Sequence, residues 1–267
     1  METGSVPQRK PRGSKDRYFS LKGGCKYAHP SVAEFVCPFP VVGSREGVPL
    51  CYFHLGDDPD TTEKPEPSLV TSALSELLRN RGVIQIPDWH LAGLPLVNLH
   101  FEAVEIFRTD FSGADLSWSV FDKARLIFCE FGASKMTMNR MVEAVISHSR
   151  FIGADLVASD LSRLSATKCN FAEAKLSSAK LRYASFENCI LSGVHGGSAD
   201  FSAANLTDCD LRDSFFRRAR FIDCNLVDVD FSGADLAFAD FTGSRFTGVS
   251  FVGSNLECVI GLDPPVR

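Results

Sequence analysis

Near the N-terminus, three cysteines and a histidine have the types and spacing that metal chemistry needs. Cys25, Cys37, Cys51 and His54 follow one another as Cys-x11-Cys-x13-Cys-x2-His. Three thiolates and one imidazole complete the tetrahedral shell of a structural zinc ion. The Cys51–His54 pair can chelate from one turn, and Gly43 and Gly47 allow the chain to reverse between ligands. Tyr27, Phe35, Phe39, Tyr52 and Phe53 supply a small apolar shell. A segment of about thirty residues buries too little to fold without such a staple. His29 is an alternative ligand. Two other readings stand beside structural zinc. The cysteines can pack unpaired as small apolar groups, or the module can carry a zinc- or thiol-dependent activity of its own.

Elsewhere the chemistry thins out. The sequence has no phosphate-binding loop, no nucleophile elbow and no His-Glu-x-x-His, so no catalytic residue is assigned and an enzyme is not expected. The net charge of -5 is too mild to imply a nucleic-acid partner. No apolar run reaches the roughly 18–20 residues needed to span a bilayer. Basic residues at the N-terminus are not followed by the apolar core of a secretory signal. Nine cysteines are an odd number and are scattered, which suits reduced thiols in the cytoplasm better than a disulfide framework.

The elements around the module divide by composition. Residues 1–22, with six basic and two acidic side chains and few apolar ones, read as a disordered basic tail. The candidate zinc segment covers 23–56. An acidic, proline-rich linker follows at 57–68, with Asp57, Asp58, Asp60, Glu63 and Glu66. Over 69–90, Leu69, Ala73, Leu74, Leu77 and Leu78 form the apolar face of a helix, Gly82 ends it, and Val83–Pro87 reads as a short strand. Helix and strand are expected to cap what comes next.

From Leu91 the chain changes character. Of the 34 positions reached in steps of five up to Leu256, 32 are Leu, Phe, Ile or Met, and only Ala166 and Gly196 depart. Two residues before each centre stands a small residue in most repeats, as at Ala114, Ala154, Ala174 and Ala234. The residue just before the centre is often Asp or Asn, as in Gly-Ala-Asp-Leu at 113–116, 153–156 and 233–236. A five-residue period fits neither an α-helix nor a flat strand. It keeps every fifth side chain inside only if the chain turns a corner about every five residues and stacks as a solenoid.

This pattern, held over residues 91–260, resembles the pentapeptide-repeat family, whose motif is Ala-Asp/Asn-Leu/Phe and two variable residues. The resemblance implies a right-handed quadrilateral β-helix, mainly β, with the centre and the small residue pointing inward. The residues support four repeats per coil. Sorted modulo 20, two sets of centres hold 11 of the 14 Phe. The residue before the centre alternates in sign every twenty: Arg140, Asp160, Lys180, Asp200, Arg220, Asp240, and again Asp115, Lys135, Asp155, Lys175. Opposite charges are therefore expected to face each other across coils. About eight coils make a rod of roughly 40 Å at the strand spacing, filled by side chains and without room for a ligand. Residues 261–267 are a short tail.

Cys129, Cys169, Cys189, Cys209 and Cys224 all fall two before a centre and read as core fillers in place of Ala. Residues 191–198, which lose the inward side chain at Gly196, are expected to bulge or widen a corner. Residues 132–149 keep the period but carry Met136, Met138 and Met141. Arg212, Phe215, Arg217, Arg218 and Arg220 form a candidate surface for an acidic or aromatic partner. The leading expectation is a non-catalytic protein-interaction or scaffold module with a protein partner. The resemblance also implies an alternative, a DNA mimic that binds a type II topoisomerase. The alternating ladders and the lack of a long C-terminal dimerisation helix depart from that picture.

Overall fold

The computed structural model describes residues 85–262, the strands Gly43–Arg45 and Val48–Leu50, and helical residues 71, 72, 74, 75, 78 and 79. Cys25, Cys37, Cys51, His54 and the linker at 57–68 lie outside the described residues. The chain divides into two compact units, Met1–Glu63 and Lys64–Arg267. In the first, β1 (Gly43–Arg45) and β2 (Val48–Leu50) pair antiparallel, with Ser44 opposite Pro49.

The second unit is a β-solenoid. Its strands are β3 (Gln85–Pro87), β4 (Glu105–Phe107), β5 (Arg125–Ile127), β6 (Val145–Ser147), β7 (Ser165–Thr167), β8 (Ser185–Glu187), β9 (Asn205–Thr207), β10 (Asn225–Val227) and β11 (Arg245–Thr247). They form one nine-stranded parallel sheet in which every neighbour is the strand twenty residues away. Three further ladders of single bridges, through His90↔Asp110, Pro95↔Asp115 and His100↔Val120, climb with the same step. The coil is therefore four-sided and closes every twenty residues.

Two backbone rules build each side. The centre's N–H bonds to the coil that follows, as in Leu96 N to Asp115 O at 2.7 Å, and the preceding residue bonds back, as in Asp115 N to Leu94 O at 2.9 Å. Between sides the chain makes a turn closed by a bond such as Ala114 N to Phe111 O at 3.0 Å, with a left-handed residue at its third position. Gly113 (φ 65°) is one of these, and its type II geometry is what favours glycine there. At the same position of other turns stand Trp118, Tyr183 and Phe238 with φ near 60°, so large side chains project outward from the corners.

The core is a filled column. Two sides stack Phe on Phe: Phe101 lies on Phe121 with ring centroids 4.5 Å apart, Phe131 on Phe151 at 4.5 Å, and Phe221 on Phe241 at 4.9 Å. Rings on different sides meet edge to face, as Phe111 and Phe121 do at 6.3 Å and 88°. Both arrangements suit the quadrupole of the ring. In the first coil the small position is filled by larger groups, among them Trp89, Leu99 and Val104, all buried, which plug that end of the column.

Several expectations are corrected. The solenoid begins at Gln85, six residues before the Leu91 start, because Ile86 is a further buried centre that pairs with Ile106. The strand read as a cover is thus the first strand of the sheet itself. Leu74 is buried and Thr71 Oγ1 donates to Pro95 O at 2.8 Å, which ties the helical residues to the first coil. No bulge occurs at 191–198, where turns and bridges continue in register. The Phe216 ring fills the space above Gly196 so closely that a Cβ there would collide with its Cε1 and Cδ1. Ala166 is likewise stacked against Phe186 on the next strand.

The charge ladders hold as backbone registers and only partly as ion pairs. Lys135 meets Asp115 at 3.7 Å and Lys175 meets Asp155 at 3.9 Å. In the other series Arg140 turns to Asp122 at 2.6 Å. Asp160 and Asp240 accept the backbone N–H two residues on, Ser162 at 3.1 Å and Thr242 at 2.9 Å. The Asx arrangement does not itself prevent pairing, since Asp115 and Asp155 are held the same way by Ser117 N and Val157 N and still meet a lysine. Exposed pairs simply add little, about 0–1 kcal/mol.

Candidate functional site

The small inward position accounts for the cysteines of the solenoid. Cys129, Cys169, Cys189, Cys209 and Cys224 are buried and free, and Cys258 is exposed. Several donate to the carbonyl of a centre one coil back, such as Cys129 Sγ to Ile106 O at 3.4 Å and Cys224 Sγ to Phe201 O at 3.0 Å. The hydroxyls of Thr109, Ser119 and Ser159 do the same at 3.1, 2.9 and 2.8 Å. Burial pushes the Cys129 and Cys209 thiols up to about 12 and Cys224 to about 11, so they stay protonated and unreactive near neutrality. Among the described residues no group of three or more His, Cys, Asp and Glu could hold a metal ion. Nor is any described helix long and apolar enough to cross a membrane.

What remains for recognition is the outer surface. The five residues singled out from the sequence lie within a single stretch of coil and are exposed. Phe215 stands on one flat side, 48% exposed, and stacks on His195 of the preceding coil at 4.8 Å and 7°. Arg217 and Arg218 occupy the corner that follows, and both guanidinium groups approach the Phe238 ring, at 5.6 and 5.9 Å. Arg220 lies on the next side, bridged in the backbone to Asp200 and Asp240.

These cations differ in how far they are committed. Arg212, on the corner before Phe215, grips Asp210 with two bonds of 2.9 and 2.8 Å and approaches Asp230 at 3.8 Å. The Arg212 guanidinium in turn holds the Asp210 carboxyl below its usual range. Such a fork is an internal brace. Arg217 reaches Asp235 at 3.3 Å. Arg218 and Arg220 have no carboxylate within ion-pair distance among the described residues. The patch is therefore two uncommitted guanidinium groups beside a pair of exposed aromatic surfaces, His195–Phe215 and Phe238. Carboxylates answer the first and aromatic or aliphatic side chains the second.

The reading of the sequence omitted His195 and Phe238. Both stand one coil from a residue it named: His195 is twenty before Phe215, and Phe238 is twenty after Arg218. The same step would have joined Trp118 to Met138. Met136 and Met141 of the methionine-rich stretch point inward and are buried, whereas Met138 is exposed.

Comparison with known proteins agrees with this architecture. Residues 179–259 match the model of a pentapeptide repeat region, and residues 154–193 match that of pentapeptide repeats in eight copies. Among solved structures, QnrB1, a plasmid-mediated fluoroquinolone resistance protein, is 19% identical over 65% of this chain and 92% of its own, with a TM-score of 0.44. HetL from the cyanobacterium Nostoc sp. strain PCC 7120, involved in heterocyst differentiation regulation, is 18% identical over 77% of this chain and 100% of its own, TM-score 0.29. A pentapeptide repeat protein of the Arabidopsis thaliana thylakoid lumen is 28% identical over 44% and 68%, TM-score 0.19. No curated protein matches the sequence.

Proposed function

Because the chain belongs to the pentapeptide-repeat family, and its axis is packed with side chains, we propose that it acts as a non-catalytic interaction module that meets a protein partner on its outer surface. The contact is centred on Phe215, Arg217, Arg218 and Arg220, with His195 and Phe238 added as neighbours. The observation that carries this reading is the pairing pattern of the arginines. Arg212 is braced by Asp210, while Arg218 and Arg220 are charged, exposed and left for an acid outside the solenoid. Arginine beside an aromatic ring is the composition of an energetic anchor in protein interfaces. A DNA mimic would need an unbroken negative surface, which ladders such as Arg140–Asp160–Lys180 and Lys135–Asp155–Lys175 interrupt with positive charge at every second coil.

Charge reversal tests the proposal directly. The full chain and the variant Arg218→Glu/Arg220→Glu are used as bait, and captured proteins are quantified for each. Both substituted side chains are exposed, and circular dichroism should be the same for the two baits. Partners captured by the native chain and reduced about tenfold or more by the variant are expected, and their contact segments should be acidic. Equal capture by both baits would sink the assignment.

A further inference from the structure

One corner of the solenoid carries large exposed side chains at both ends and small ones in its middle. At the N-terminal end Val97, Trp118 and Met138 are exposed on three successive coils, Trp118 at 57%. At the C-terminal end stand Arg217, Arg218 and Phe238. On the three coils between Met138 and Arg218, the equivalent position holds Ala158, Ser178 and Ser198, all at positive φ and exposed. Trp118 and Phe238 both have φ 63°, so each is thrust outward at the same point of its turn. The corner is thus a saddle, low in the middle, with an anchor at either end.

The backbone decides what kind of chain can lie in it. N–H and C=O groups around Trp118 and Arg218 bond to neighbouring coils, as in Trp118 N to Thr137 O at 3.1 Å and Arg218 N to Ala237 O at 3.0 Å. The flank of the solenoid therefore has no strand edge to lend, and a visitor running along the axis must satisfy its own peptide groups. An α-helix does this internally and can lay one continuous side-chain face along the corner, whereas an extended segment gains no backbone bonds from the solenoid and leaves its peptide groups to water. Trp118 and Phe238 are six coils apart in the sequence, which is about 29 Å at the strand spacing. An α-helix covers that length in about 19 residues. Small side chains at the middle of the saddle let a helix approach, and Arg218 and Arg220 ask for carboxylates at one end of it.

We infer that this corner docks an acidic amphipathic helix of about 20 residues, anchored by an apolar side chain on Trp118–Met138 and by carboxylates and an apolar side chain on Arg218, Arg220 and Phe238. The inference rests on the interaction surface proposed above and extends it to the Trp118 end.

The probe is a phage-displayed library of 25-residue helix-biased peptides selected on the purified full chain. Affinities of the selected peptides are then measured against substituted proteins. Substitutions are taken from equivalent positions of other coils, so that the turns are kept: Trp118→Asn, as at Asn98, and Arg218→Ser, as at Ser198. Peptides with acidic residues at one end and an apolar residue about 18–20 positions away are expected, each losing about tenfold or more in affinity with either substitution. Loss with Arg218→Ser and not with Trp118→Asn overturns the long helix and leaves the arginine surface standing. Indifference to both substitutions, or a selection that enriches nothing, overturns both readings. Selected peptides rich in proline, which cannot be helical, would show that an extended ligand is the occupant and refute the helix.

Discussion

Asn139 is an exception at the small inward position. In its column Ser119 and Ser159 donate to carbonyls one coil back, and Ala179, Ala199, Ala219 and Ala239 carry nothing polar. Asn139 is fully buried, its Nδ2 donates to Leu116 O at 3.3 Å, and its Oδ1 has no partner among the described residues. A stranded buried acceptor costs about 1–3 kcal/mol, while a long neutral bond contributes less than that. Leu116 O would not be abandoned by its removal, since Ser119 N also bonds it at 3.1 Å. Asn139→Ala is therefore expected to stabilise the solenoid by about 1 kcal/mol, read as a higher midpoint in urea with unchanged slope. A lower midpoint would mean that the amide's donor side and its packing outweigh the stranded oxygen. The aspartates also take the nearest N–H, and several of them meet a cation as well: Asp200, beside Arg220 in the backbone ladder, accepts from Ser202 N and is reached by Arg182.

A coil is the element of this fold, and its side chains are chosen against the coil next to it. Gly196 exists because Phe216 lies over it, and Ala166 is followed by Phe186. Each gap in the five-residue pattern is answered twenty residues later by a Phe on a side lined mainly by Leu, Ile and Met. This makes a double-mutant cycle decisive. Gly196→Leu overpacks the Phe216 ring and Phe216→Leu opens a cavity above Gly196, so each alone should cost about 1–3 kcal/mol. Together they restore the Leu-on-Leu stack seen at Leu156 and Leu176, and should recover most of the loss, a coupling of about 2 kcal/mol. Additive losses in the urea midpoints would mean that the two positions are independent. Reading by five made the centres, the small positions and the side walls legible, and reading by twenty gave the register. The compensating pairs sit at the centres, where reading by five records only the departures at Ala166 and Gly196 and not the Phe that answers each. The corner residues Trp118 and Phe238 were missed because a pentapeptide treats its last two positions as variable. Trp118, Met138, Arg218 and Phe238 become a feature only when one corner is followed up the stack. The N-terminal cysteines have no such repeat to read against, so their spacing alone had to carry the zinc assignment.

On the scale of the whole solenoid, stability should be graded along the axis, because each coil touches only its neighbours. The two ends are finished differently. The first coil is plugged by Trp89, Leu99 and Val104, with Leu74 buried beside it. At the far end β11 pairs only with β10 in the sheet, Val252 is 74% and Ile260 55% exposed, and Phe246 is no longer buried. Interior coils gain burial and ring stacking on two sides, as Phe151 does between Phe131 and Phe171, whereas Phe251 stacks on Phe231 alone along its column. Opening the last coil therefore breaks one interface, and opening a middle coil breaks two. Hydrogen exchange reads this difference amide by amide. Asn255 and Ile260 donate to the preceding coil with bonds of 2.8 and 3.1 Å, close to those of Asp155 and Lys175 at 2.9 Å, so bond length predicts equal protection. The interface argument predicts otherwise: Asn255 and Ile260 should exchange about a hundredfold or more faster than Asp155 and Lys175, with intermediate rates at Asp235 and Asp240. Uniform protection along the axis would mean that the stacked Phe columns couple all the coils into a single cooperative unit. In that case a substitution at Gly196 would lower protection at Phe111 as much as at Leu211.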